Sequence, residues 1–101
     1  MIDNDMLLRI GLALRKRREA LKVTQEEFAA NNEMDASYYG AVERGRQNLT
    51  LLNLMRLARG LQVPLSQIVR EAEELDLEQA LKEPPNPPRR GRPRGRKSRW
   101  Q

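Results

Sequence analysis

A chain of 101 residues with 39% hydrophobic, 33% charged and 4% aromatic side chains holds enough apolar material for one small aliphatic core and not for two. It has no cysteine and no histidine, which removes disulfides, thiolate and imidazole metal sites, thiol nucleophiles and imidazole bases together, so neither an enzyme nor a metal or cofactor site is expected. No apolar run approaches the roughly 20 residues of a membrane span. The opening MIDNDMLLRI lacks the basic and apolar blocks of a signal peptide, so a cytoplasmic protein is expected.

The formal net charge of +5 is unevenly placed. Residues 84–101 carry Arg89, Arg90, Arg92, Arg94, Arg96, Lys97 and Arg99 with no acid, whereas residues 1–83 hold 12 basic and 14 acidic side chains. Within that body, residues 67–83 hold six acids against two bases. A basic arm on a nearly neutral body points to a polyanionic partner, most simply nucleic acid.

Five helices are predicted in chain order, and no segment alternates as a strand would, so the fold class is all-α. Leu7, Ile10, Leu14 and Leu21 form the stripe of an amphipathic first helix, with Asp3, Asn4 or Asp5 as its cap. Thr24-Gln25-Glu26-Glu27 reads as a capping box opening a short second helix that stops near Asn31-Asn32. Asp35 caps a third helix, 36–44, ending at Gly45. Thr50 caps a fourth, with Leu51, Leu54, Leu57, Ala58 and Leu61 on one face. After Pro64, Leu65, Ile68, Ala72 and Leu75 mark a fifth that is expected to continue to about residue 82. The run Pro84-Pro85-Asn86-Pro87-Pro88 ends all helical possibilities and favours an extended spacer of about 3.1 Å per residue. The domain boundary therefore falls between 1–83 and an 84–101 tail expected to be disordered.

Two short helices joined by a tight connection, with longer helices on either side, are the arrangement in which the second helix enters the DNA major groove. TQEEFA followed by SYYGAVERGRQNLTLLNLMRLARGLQV resembles the phage-repressor/Cro-like helix-turn-helix family, whose members include bacterial restriction-modification controller proteins. The resemblance covers about residues 8–69 and implies a five-helix lambda-repressor-like domain that binds double-stranded DNA, usually as a homodimer. It implies a phosphate and occasional base contact for Gln25, beside Thr24 at the start of the second helix. It implies base-reading positions at Ala36, Ser37, Gly40 and Ala41, a phosphate contact for Tyr38, a core position for Tyr39, and a backbone-flanking loop with Arg44, Arg46 and Asn48. Arg18 and Glu43 match a structural ion pair between the first and third helices.

The family's usual glycines fall here at Lys22 and Glu33, where a left-handed backbone costs about 1–2 kcal/mol, and Asn32 is the residue expected to absorb the second. Ala36, Gly40 and Ala41 offer no long polar group, so direct base readout is expected to be thin.

Arg90-Gly91-Arg92-Pro93, followed by Arg94, Gly95, Arg96 and Lys97, resembles an AT-hook. Glycine lets an extended backbone approach the minor-groove floor, proline holds it extended, and A·T-rich grooves attract guanidinium groups. Leu52 and Met55 lie off the main stripe of the fourth helix and Val69 and Leu77 off that of the fifth, which suggests a dimer interface. The leading expectation is a dimeric, sequence-preferring bacterial or phage transcriptional regulator, with no membrane and no small-molecule partner. An architectural nucleoid-type protein and an antitoxin-like interaction module are the alternatives.

Overall fold

The computed structural model describes residues 3–82, and among them every regular element is helical. The order is α1 (Asp3–Ala20), α2 (Gln25–Asn31), α3 (Ala36–Glu43), α4 (Leu51–Gly60), α5 (Leu65–Glu74) and α6 (Leu77–Lys82). The proline run and the AT-hook-like segment lie outside the described residues.

Local chemistry sets most boundaries. Thr24 Oγ1 accepts from the Glu27 N–H at 3.0 Å and Glu27 Oε1 accepts from the Thr24 N–H at 2.9 Å, closing the capping box of α2. Asp35 caps α3 through the Tyr38 N–H (2.9 Å), and Thr50 caps α4 through the Asn53 N–H (3.1 Å). At the start of α1 the expectation changes: Asp3, Asn4 and Asp5 all lie within the helix rather than ahead of it. Asp5 Oδ2 accepts instead from Arg9 Nε one turn on, at 3.0 Å.

Among the described residues four chain reversals use a left-handed residue, and three of those residues are not glycine: Lys22, Glu33 and Gln62, at φ 65°, 55° and 64°, beside Gly45 at 72°. Asn32 does not absorb the turn after α2. Its φ is −106°, and Glu33 takes the left-handed position while the N–H groups of Glu33 and Met34 bond the carbonyls of Ala30 and Ala29. The Asn32 carboxamide donates to the Phe28 carbonyl at 2.8 Å.

The expected fifth helix is two. Helix α5 ends at Glu74, and Leu75 is extended at φ −66°, ψ 134°. Asp76 Oδ1 then accepts from the Gln79 N–H and starts α6. The break is stabilised from α1: Arg9 Nη1 donates to the carbonyls of Leu75 (2.6 Å) and Ala72 (3.3 Å), the second of which also accepts from the Leu75 N–H at 3.4 Å.

One core holds α1 to α5. Leu14, Phe28, Tyr39, Leu57 and Ile68 are its fully buried large side chains, with Ala13, Ala29, Ala58 and Ala72 between them. Helix α1 packs on both α3 and α5. It meets α3 at Gly11, where a Cβ would stand 2.4 Å from the Glu43 carbonyl oxygen. Arg17 and Glu71 pair across α1 and α5, and the Arg17 guanidinium holds the Glu71 carboxyl below the usual carboxylate range. Leu51, expected on the buried face of α4, is 65% exposed.

Glu33→Gly removes left-handed strain of about 1–2 kcal/mol and adds about 0.5–1 kcal/mol of unfolded-state entropy. Urea unfolding is expected to show a net gain of about 0.5–1 kcal/mol. A loss of stability contradicts this account of the turn.

Candidate nucleic-acid interface

Helices α2 and α3 present one outer surface because their inner sides are locked together. The Phe28 and Tyr39 rings meet at 5.1 Å between centroids, tilted by 55°. Beside them lie the two buried charged residues of the described chain, Arg18 and Glu43. Arg18 Nε donates to Glu43 Oε2 at 2.7 Å and Nη2 to Oε1 at 3.1 Å, a bidentate pair. Arg18 Nη1 donates to the Val23 carbonyl (2.7 Å), and Gln25 Nε2 donates to Glu43 Oε1 (2.8 Å). Four segments therefore converge on one carboxylate and one guanidinium: α1, the loop after it, α2 and α3. Burial pulls the Arg18 pKa down, but the hydrogen bonds and charge of Glu43 outweigh it and leave the group more basic than usual. Burial, followed by the charge of Glu43, pushes the neighbouring Tyr39 phenol well above its ordinary value.

On the outer surface, Ser37 is exposed and Ala36, Tyr38 and Ala41 are half-buried. Gly40 is not open. It lies under two side chains, so that a Cβ there would sit 3.2 Å from Gln25 Oε1 and 3.2 Å from Arg44 Nη1. Gln25, Glu26, Ala36, Ser37, Gly40 and Arg44 line a shallow hollow on this face. Gln25 thus has its amide nitrogen committed inward to Glu43 and its oxygen over Gly40. The Tyr38 hydroxyl accepts from Asn53 Nδ2 at 3.3 Å, which ties the start of α3 to α4. Arg44, Arg46 and Asn48 are exposed in the connection to α4, and Thr24 is half-buried as the cap of α2. The structure therefore brings Gln25, Ala36, Ser37, Gly40 and Arg44 together, with Thr24 next to Gln25 in the chain. The segment Arg90, Gly91, Arg92, Pro93, Arg94, Arg96 and Lys97 lies outside the described residues.

The apolar residues read as an interface divide. Leu52 and Met55 are 72% and 41% exposed, and Leu51 joins them on the outside of α4. Val69 and Leu77 are half-buried. Sequence periodicity hid Leu51 because it lies in register with the buried stripe at the first position of α4, beyond the reach of the core. Among the described residues no helix is long and apolar enough to cross a membrane.

Arg18→Ala and Glu43→Gln each strand a charge or a donor in the core and are expected to lower urea-unfolding stability by about 3–5 kcal/mol. Arg17→Ala, at the more exposed Arg17–Glu71 pair, is expected to cost under about 1 kcal/mol. Equal losses at the two sites contradict the central role of Arg18 and Glu43.

Residues 14–68 match the family model described as helix-turn-helix. Over 72 residues the chain is 38% identical to control protein C.MunI of a Mycoplasma species, a match covering 70% of this chain and 97% of that protein. It is 33% identical over 70 residues to the uncharacterized HTH-type transcriptional regulator y4dJ of Sinorhizobium fredii, covering 69% and 91%. Among solved structures, the restriction-modification controller protein C.AhdI from Aeromonas hydrophila superposes with a TM-score of 0.59 at 37% identity, covering 61% of this chain and 94% of that one. The clp gene regulator ClgR from C. glutamicum gives a TM-score of 0.65 at 26% identity, covering 67% and 87%. With the family model spanning more than half of the chain, and with α2 and α3 capped and locked as described, this protein belongs to the helix-turn-helix family.

Proposed function

We propose that the protein is a DNA-binding transcriptional regulator of the controller type, acting as a two-fold dimer with α3 in the major groove and residues 84–101 in an adjacent A·T-rich minor groove. The observation that carries this reading is the rigid α2–α3 pair, held from behind by Arg18 and Glu43, with Ser37, Arg44 and Arg46 on its outer side. The relatives named as control and controller proteins support it. Thr24, Gln25, Tyr38, Arg44, Arg46 and Asn48 position the domain on the phosphate backbone. Ser37 and the methyl groups of Ala36 and Ala41 read the groove, the methyls against thymine, while Gly40 makes room for the Gln25 and Arg44 side chains that cover it. Arg90, Arg92, Arg94, Arg96 and Lys97 supply minor-groove and phosphate contacts, with Gly91 and Pro93 keeping the segment thin and extended.

The exposed Leu51, Leu52 and Met55 support dimerisation through α4, with Val69 and Leu77 alongside. A two-fold dimer sets the recognition helices about 34 Å apart, one turn of duplex. One feature favours a second, architectural reading: no long polar side chain stands at 36, 37, 40 or 41. Selection of bound sequences from a random duplex library separates the two. A two-fold symmetric motif is the expected result, and diffuse A·T enrichment without symmetry supports the architectural protein instead.

Seven tail cations that all engage phosphates steepen log K against log salt by up to about 6. Duplex titrations at several salt concentrations are therefore expected to give a steeper slope and tighter binding for the full chain than for residues 1–83. Equal slopes contradict the proposed role of the tail.

A further inference from the structure

The most acidic and the most basic stretches of the chain are consecutive. Residues 67–83 hold six acids and two bases, and residues 84–101 hold seven bases and no acid. Three of these acids, Glu71, Glu74 and Asp76, line a groove of about 500 Å3 between α1 and the α5–α6 turn. Its apolar lining comes from Ala13, Ala20, Leu75 and Ala80. Glu71, Glu74 and Asp76 stand on one wall and Lys16 and Arg17 on the other. Arg17 is already bonded to Glu71. Glu73, Glu74 and Glu78 are exposed and make no ion pair among the described residues.

The described residues end at the edge of this groove: Gln79 and Ala80 line it, and Lys82 follows two residues later. Five residues 84–88 in extended form span at most roughly 16 Å at about 3.1 Å per residue. The 13 residues beyond it span up to about 43 Å at about 3.3 Å each, enough to return, and Gly91 and Gly95 permit the reversal.

We infer that in the DNA-free protein the arm 89–101 folds back onto its own α5–α6 surface. Its arginines face Glu73, Glu74 and Glu78, and the Trp100 indole seats on the apolar lining of the groove. Tethering supplies a millimolar-scale effective concentration, so individually weak pairs suffice. The pairs are exposed, so salt screens them over a Debye length of about 8 Å at physiological ionic strength. Duplex DNA, with one charge per about 1.7 Å of axis, displaces the acidic surface where sparser polyanions do not. The docking stands on the groove and the charges alone. Its consequence, an arm withheld from weak polyanions and released by duplex, rests on the DNA-binding reading above.

Trp100 is the only tryptophan, so its fluorescence reports the arm by itself. The test compares the full chain with the triple variant Glu73→Gln, Glu74→Gln, Glu78→Gln, after circular dichroism has established that both are folded. At low salt the wild type is expected to emit further to the blue and to resist acrylamide quenching. The triple variant, and the wild type in high salt, are expected to shift red and lose that protection. The wild-type shift is expected to be independent of protein concentration. Identical emission and quenching in the two proteins, or a shift that grows with concentration, overturns the inference. A protein that shows the shift but binds no duplex keeps the docking and loses the DNA reading. One that binds duplex without any shift loses the docking alone.

Discussion

Arg18 and Glu43 sit among Phe28, Tyr39 and Leu14 in an interior that is otherwise apolar among the described residues. Two opposite charges in such a place stabilise the fold only if their geometry compensates for lost hydration, and here it does: two bonds join them, and a backbone carbonyl and a glutamine amide take further capacity. The arrangement fixes more than stability. Arg18 belongs to α1, Val23 to the loop after it, Gln25 to α2 and Glu43 to the last turn of α3. One network therefore sets the angle at which α3 stands out from the body. The outward residues of α3 inherit their placement from a contact on its opposite side.

The glycine of α3 is covered through the same network. Gln25 is drawn inward by Glu43, and its oxygen and the Arg44 guanidinium then occupy the space above residue 40. A Cβ at residue 40 would stand 3.2 Å from each, so that one or the other would have to give by a few tenths of an ångström. The outer surface of α3 thus has little chemistry of its own, and the charged groups around it, Arg44 and Arg46, come from the helix end and the following loop. A surface built this way favours backbone positioning over base discrimination.

Much of this was legible in the sequence because it is local. Thr24, Asp35 and Thr50 each place a side-chain oxygen where a helix needs an acceptor, and the observed caps are those residues. The helix-turn-helix pattern was legible through the family resemblance, which implies the core position that Tyr39 takes. What escaped is non-local. The division of α5 from α6 depends on Arg9, more than 60 residues earlier, reaching the carbonyls of Ala72 and Leu75. The left-handed Gln62 carries no glycine to advertise it, and its turn is imposed by the packing of α4 on α5. The exposure of Leu51 and the cover over Gly40 depend on where neighbouring elements stop, which periodicity does not encode.

The central claim is that the Arg18–Glu43 network presents the α2–α3 face to duplex DNA. Amide chemical-shift mapping of the full chain, titrated with a duplex taken from the sequence selection, addresses it most directly. The account predicts shifts concentrated at Thr24, Ser37, Tyr38, Ala41 and Arg46, with α6 little changed apart from residues that lose a docked arm. Shifts confined to α4–α6, or none across α2 and α3 while the duplex binds, contradict it.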